Sequence, residues 1–281
     1  MKLGSISFIN SLPVDLGLLS GKVASEIEMV PGIPTELNQK ALSGQLDASA
    51  VSALWYAEHQ DQFLLLPDLS ISSESGVESV LLFSRYPMKH LKSKQIGITR
   101  QGRTTPALLE ILLRQFYGFR PDFKIVESGL QEIPEGVSAL LLIGNDALTA
   151  KEAMKGKGLH IIDLAEEWKE CTTLPFVFAV WVVRRETFLK DPKKISGLHE
   201  SLLLSKQWGV ENPADILAEA ERRTHLPLPV LENYFSKLSY GFGEGLKCGL
   251  RLYYEYALRC DILSKAVKLE TIAEQKPQLV P

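Results

Sequence analysis

Short apolar runs alternate with amphipathic stretches through the first two thirds of the chain, in a recurring order. Residues 2–8 (KLGSISF) alternate as a strand does. Asn10 or Ser11 then caps a short helix that has Pro13 near its first turn and Gly21 beyond its end. Residues 26–30 give a second strand. The following helix has Thr35 as its N-cap, Leu37 and Ala41 on one face and Gly44 as its stop. Residues 46–51 read as a short strand and residues 52–59 as the next helix. This βαβα order predicts a mainly parallel sheet with helices against it.

A β-rich run at residues 78–84 is followed by the charged stretch RYPMKHLKSK, which reads as a linker. A second series then begins, with strands at 95–99, 123–126, 139–143 and 160–163 and helices at 106–117 and 146–155. Residues 176–183 (FVFAVWVV) form one more buried strand, the chain is helical beyond it, and EQKPQLVP closes it as a loose tail. An α/β, two-lobed clamp is expected, each lobe a mixed sheet flanked by helices. Lobe one takes residues 1–85 plus 183–281 and lobe two residues 86–182, with crossings near 85–92 and 180–184 and a ligand cleft between them.

Three stretches share one layout, a strand-like run, small polar residues and a helix start: KLGSISFINSLPVDLGLL, QIGITRQGRTTPALLEILL and VSALLLIGNDALTAKEAM. Each junction points free backbone N–H groups and a positive dipole end into the crevice beyond the strand. A small organic anion is the expected ligand.

The 281 residues carry a net charge of −3 and no basic block, which speaks against nucleic acid as a partner. The first apolar stretch is too short and interrupted for a signal peptide, and FVFAVWVV is far below the roughly 20 residues that span a bilayer. A cytoplasmic protein without membrane association is expected. Cys171, Cys248 and Cys260 are scattered and read as buried free thiols. His59, His90, His160, His199 and His225 lie outside the junctions, without metal-ligand spacing, and read as surface or packing residues. No GxSxG, P-loop or GxGxxG after the first strand is present.

Among polar residues, Asn10 is either a helix cap or a substrate contact with both donor and acceptor, and Ser79 is either a ligand contact or bonded to its own backbone. Thr105 is the natural cap before Pro106, with Thr104 beside it and Arg103 adding charge. Ser49 and Ser52 bracket a strand end, and one of them faces the cleft. Gly144 allows close backbone approach, with Asn145 as a contact or cap, and Thr172 and Thr173 line the cleft near the return strand.

Taken in order, SFINSLPVDLGL, PTELNQKALSGQLDASAVSALWYA, VESVLLFSR, TTPALL, LLIGNDAL, DLAEEWKECTTLPFVFAVW and LSYGFGEGLKCGLRLYYEYA resemble the chorismate dehydratase family of the futalosine route to menaquinone. The resemblance implies a fold like type II periplasmic binding proteins, no cofactor, a small dicarboxylate substrate, and conversion of chorismate to 3-[(1-carboxyvinyl)oxy]benzoate by a carbon–oxygen lyase. Its essential polar pair falls on Asn10 and Ser79. A sister family, which makes 1,4-dihydroxy-6-naphthoate, places a His base where this chain has Gly144. Thr173 stands where the chorismate family commonly has Gly, and Asn145 where it commonly has an acidic residue. A non-enzymatic solute receptor or effector sensor is a further alternative; the expected lack of an export signal weighs against the first and the lack of a helix-turn-helix module against the second.

Overall fold

The computed structural model describes residues 1–275, so most of the tail expected at EQKPQLVP lies outside the described residues. Ten strands form two five-stranded sheets. The first has the order β2-β1-β3-β10-β4, built from β1 (Lys2–Ile6), β2 (Glu28–Gly32), β3 (Ala48–Ser52), β4 (Phe63–Ser73) and β10 (Phe176–Arg184). The second runs β7-β6-β8-β5-β9, from β5 (Val80–Ser84), β6 (Gln95–Ile98), β7 (Asp122–Ile125), β8 (Ala139–Ile143) and β9 (His160–Asp163). In each, parallel strands are joined by antiparallel ones. In the first sheet β10 runs against both β3 and β4, and in the second β5 runs against both β8 and β9.

Strand-to-helix connections supply α1 (Leu12–Leu19), α2 (Pro34–Leu42) and α3 (Ala53–His59) in the first lobe and α4 (Thr104–Gln115), α5 (Gly144–Met154) and α6 (Leu164–Thr172) in the second. After β10 come α7 (Arg185–Lys190), α8 (Pro192–Glu211), α9 (Pro213–Thr224), α10 (Leu228–Ser236) and α11 (Glu244–Arg259). The apolar run ALLLI becomes β8 because four of its five residues are buried, as an inner strand covered on both faces requires.

The lobe boundaries differ from expectation. β5 is buried along its whole length and pairs with β8 and β9, so it belongs to the second lobe. β10 pairs with β3 and β4 from its first residue, so it belongs to the first. The chain therefore crosses at residues 74–79 and 173–175, not at 85–92 and 180–184. Unexpected too is β4, whose pattern is broken by Pro67 and by Asp68 at φ 55°. An edge strand tolerates both, since its outer N–H groups need no ladder partner.

The lobes share one apolar core in which Trp55 of α3, Leu108 and Leu112 of α4, Trp168 of α6, Phe176 of β10 and Tyr253 of α11 are all buried. Phe176 meets Trp168 and Tyr253 edge-to-face, with ring centroids 5.5 and 5.2 Å apart. The second crossing is held tightly: Trp168 Nε1 donates to the Pro175 carbonyl at 3.2 Å, and a Cβ on Gly249 of α11 would lie 2.1 Å from that same oxygen. Only glycine allows that approach. Of the cysteines, Cys260 alone is buried; Cys171 is half-buried against the core, and Cys248 is exposed because its helix buries Leu246, Gly249 and Leu250 instead.

Candidate active site

Five strand-to-helix junctions converge on one cavity of about 350 Å³ between the lobes, small but within the usual range for a small-molecule site. Asn10 follows β1, Pro34, Thr35 and Asn38 follow β2, and Ser52, Trp55 and His59 follow β3. From the second lobe, Arg100 and Arg103 to Thr105 follow β6 and Gly144 follows β8. Ser79, on the first crossing, completes the wall with Phe178 of β10. The three junctions singled out in the sequence thus share one cleft. A wider depression of about 830 Å³ lies at the starts of β1, β2 and β3, lined by Lys2, Glu28 and Asp47. Ligands of open α/β sheets bind at the opposite, carboxyl ends of strands, where the smaller cavity is.

Asn10 sits on a single turn of 3₁₀ helix before α1 and does not cap it; its Oδ1 is buried without a hydrogen-bond partner. An orphaned buried acceptor is a ready receptor for a ligand hydroxyl. Ser79 is 4 % exposed, and its carbonyl accepts from the Gly144 N–H at 2.7 Å. Tyr234 of α10 is buried beside the Ser79 hydroxyl, and burial pushes its phenol up to about 12, so it stays protonated. Gly144 takes φ 61°, a conformation that disfavours side chains.

Thr104 and Thr105 line the cavity, but neither caps α4, because the helix begins at Thr104 itself and Arg103 is its N-cap. Thr104 Oγ1 accepts from the Leu54 N–H at 3.0 Å and the Thr104 carbonyl accepts from Tyr253 Oη at 3.1 Å, which ties the second lobe to α3 and α11 of the first. The N–H groups of the first α4 turn, unpaired within the helix, are left for an anion. Arg103 reaches the cavity but pairs with Glu58 of α3 at 2.7 Å. Ser52 lines the cavity as the N-cap residue of α3, without a side-chain cap bond.

Four expected contacts lie elsewhere. Ser49 is fully buried within the first sheet and donates to the Ala50 carbonyl. Asn145, one residue past Gly144, does not line the cavity, and its Oδ1 is buried without a hydrogen-bond partner. Thr172 donates to the Trp168 carbonyl at 2.7 Å and accepts from the Leu174 N–H, so it closes α6. Thr173 then takes φ 64°, a left-handed conformation that favours glycine.

His59 corrects the reading of the histidines as surface or packing residues. It lines the cavity, stacks on Trp55 at 4.3 Å, and places Nδ1 2.8 Å from the Trp55 carbonyl. A carbonyl only accepts, so Nδ1 is the donor of this bond. The i, i+4 spacing of Trp55 and His59 just after the Ser52 junction was the sequence signal for this face. Arg100 is the second residue missed: it is exposed on the β6–α4 loop at the cavity, without an ion pair among the described residues. Also among the described residues, no three His, Cys, Asp or Glu side chains converge as metal ligands would, and no helix is long and apolar enough to cross a membrane.

A family profile for menaquinone biosynthesis matches residues 1–259. The chain belongs to that family. It is 32 % identical over 236 residues to a chorismate dehydratase of Thermus thermophilus, covering 79 % of this chain and 84 % of the relative. A 1,4-dihydroxy-6-naphthoate synthase of the same organism is 25 % identical over 221 residues, 77 % of each chain. The aliphatic sulphonate binding protein of Escherichia coli aligns with TM-score 0.69 at 14 % identity, over 96 % of this chain and 90 % of that one. A protein of Archaeoglobus fulgidus aligns equally well at 22 % identity, over 93 % and 98 %. The fold is that of the periplasmic binding proteins, as expected, with two mixed sheets flanked by helices.

Proposed function

We propose that this protein is a cytoplasmic chorismate dehydratase, a hydro-lyase that converts chorismate to 3-[(1-carboxyvinyl)oxy]benzoate and water. The observation that carries the reading is the meeting of Asn10 and Ser79 in one dicarboxylate-sized cavity ringed by helix N-termini, in a chain of the menaquinone biosynthesis family. The substrate loses its C3 proton and C4 hydroxyl, and the ring becomes aromatic. The C3 proton is vinylogous to the ring carboxylate, so N–H groups at the α4 terminus and Arg100 stabilise the negative charge that spreads into that group. The substrate's enolpyruvyl carboxylate, fixed in the cleft, collects the proton and returns it to the departing C4 hydroxide, which leaves as water. Asn10 Oδ1 accepts from the C4 hydroxyl and orients it, and the Ser79 hydroxyl donates to the departing oxygen. Holding the reacting groups in one pose supplies several kcal/mol of the barrier lowering.

The naphthoate synthase reading is disfavoured at Gly144, where the family resemblance places a His base and this chain has no side chain. Purified protein incubated with chorismate is expected to lose the absorbance of the substrate's ring diene and gain that of an alkoxybenzoate. An unchanged ultraviolet spectrum overturns the reading.

A further inference from the structure

Asp163, the last residue of β9, serves two segments with two oxygens. Its Oδ1 accepts from the N–H groups of Ala165 and Glu166 at 2.9 and 3.4 Å, capping α6. A cap needs no more than that. Its Oδ2 reaches across to the first crossing, 85 residues earlier in the chain, and accepts from Val77 N and Glu78 N at 2.7 and 2.6 Å. These are short, charge-assisted bonds.

The segment they hold carries Ser79. Glu78, immediately before it, takes φ 66°, where a side chain is unfavourable, and such a conformation persists only where its surroundings impose it. Asp163 Oδ2 imposes it from below. Lys151 of α5 contacts the Glu78 carboxylate, and the Gly144 N–H fixes the Ser79 carbonyl from the other side. A Cβ on Gly76 would lie 3.2 Å from Asp163 Oδ2, so the turn is drawn close against the carboxylate. The pairing of Leu81 with Asp163 sets the register from which Oδ2 reaches back.

We infer that Asp163 is a positioning residue for Ser79, fixing through the backbone of Val77 and Glu78 the angle at which the Ser79 hydroxyl enters the cleft. The inference rests on the reading that Ser79 acts on the substrate. A residue acting in this way affects turnover more than substrate affinity, since the cleft surfaces that bind both carboxylates stay in place.

Asp163→Ser and Asp163→Asn separate the two duties, because either residue caps a helix while neither offers two anionic oxygens. Both variants are expected to fold, to lose tenfold or more in kcat and to change KM by less than threefold. The double variant with Ser79→Ala is expected to be no slower than Ser79→Ala alone, because Asp163 then has nothing left to aim. A purely structural role predicts instead a lowered Tm with unchanged kcat. Wild-type kcat in both Asp163 variants, or losses that multiply in the double variant, overturns the inference while leaving an impaired Ser79→Ala to support the reading beneath it. Wild-type turnover in Ser79→Ala overturns that reading, and the inference with it.

Discussion

Asp15, buried, and Asp163, half-buried, stand near the two polar residues of the cleft, yet their carboxylates are met differently. Asp163, behind Ser79, accepts four backbone N–H groups. Asp15 spans the turn that carries Asn10. It is 1 % exposed, one oxygen accepts from Ser5 Oγ at 2.7 Å, and the other has no partner. Burial pushes its carboxyl up to about 6, with the Ser5 hydrogen bond and the charge of Arg223 opposing the rise. The Ser79 side is thus locked by charge against backbone, whereas the Asn10 side holds an under-solvated acid above an amide whose own oxygen is orphaned.

The sharpest way to break this comparison is to remove the two side chains proposed to meet substrate. Asn10→Ala and Ser79→Ala are each expected to lower kcat by 10²–10³, about 2.7–4 kcal/mol in barrier, as when one transition-state hydrogen bond is lost. Steady-state assays with matched thermal melts decide it. Near-wild-type turnover in either variant removes that residue from the pair.

Next in size is the titration of Asp15. Its folded value of about 6 lies above the unfolded value near 3.8, so the native state binds the proton more tightly. This contribution to stability is present in full below about pH 4 and is lost as pH rises through about 6. Two units correspond to about 3 kcal/mol. Asp15→Asn, which mimics the neutral acid, is expected to be more stable than the native chain at pH 8 by up to that amount, with the gain vanishing near pH 4. Denaturant melts across that window check it; a variant less stable at every pH contradicts it. Asp163 is shifted in the same direction, burial outweighing its four N–H donors, so a residual slope survives in the variant.

A smaller effect belongs to Gly144, whose N–H fixes the Ser79 carbonyl. A Cβ there meets nothing within 4 Å, so Gly144→Ala costs only the left-handed conformation, about 1–2 kcal/mol. Gly144→Asn, a residue that tolerates this conformation, is expected to lose less. Equal losses in chemical denaturation point to a contact instead of backbone strain.

What the sequence disclosed follows the range of the physics involved. Periodicity is local, so the strands at residues 139–143 and 160–163 were legible to the residue. Junction chemistry is also local, and it located Asn10, Gly144 and the two threonines of α4 at the cleft. Which sheet a strand joins is not local: nothing within residues 80–84 says that they pair with β8 and β9, and both crossings were misplaced for that reason. Thr172 was misjudged because hydroxyls satisfy their own helix end as readily as they meet a ligand. Asp163 was legible only as the end of a strand, not as a partner to residues 85 positions away.

A third carboxylate, Glu58, gives the smallest expected effect and the opposite sign to loss of function. Arg103 extends from the second lobe across the cleft wall to Glu58 of α3, with its side chain 68 % exposed against 22 % for Glu58. An ion pair so open to solvent contributes about 0.2–1 kcal/mol and weakens with salt. On the proposed function, Glu58 competes with the dianionic substrate for the guanidinium without adding much stability. Glu58→Gln is expected to leave Tm almost unchanged and to lower KM for chorismate by up to about fivefold, the equivalent of 1 kcal/mol. The gain is expected to shrink at high ionic strength, where free Arg103 is screened from the substrate. A raised KM in Glu58→Gln means that the pair is needed to hold the lobes at their working distance, and makes Glu58, like Asp163, a group that serves the cleft by fixing backbone in place.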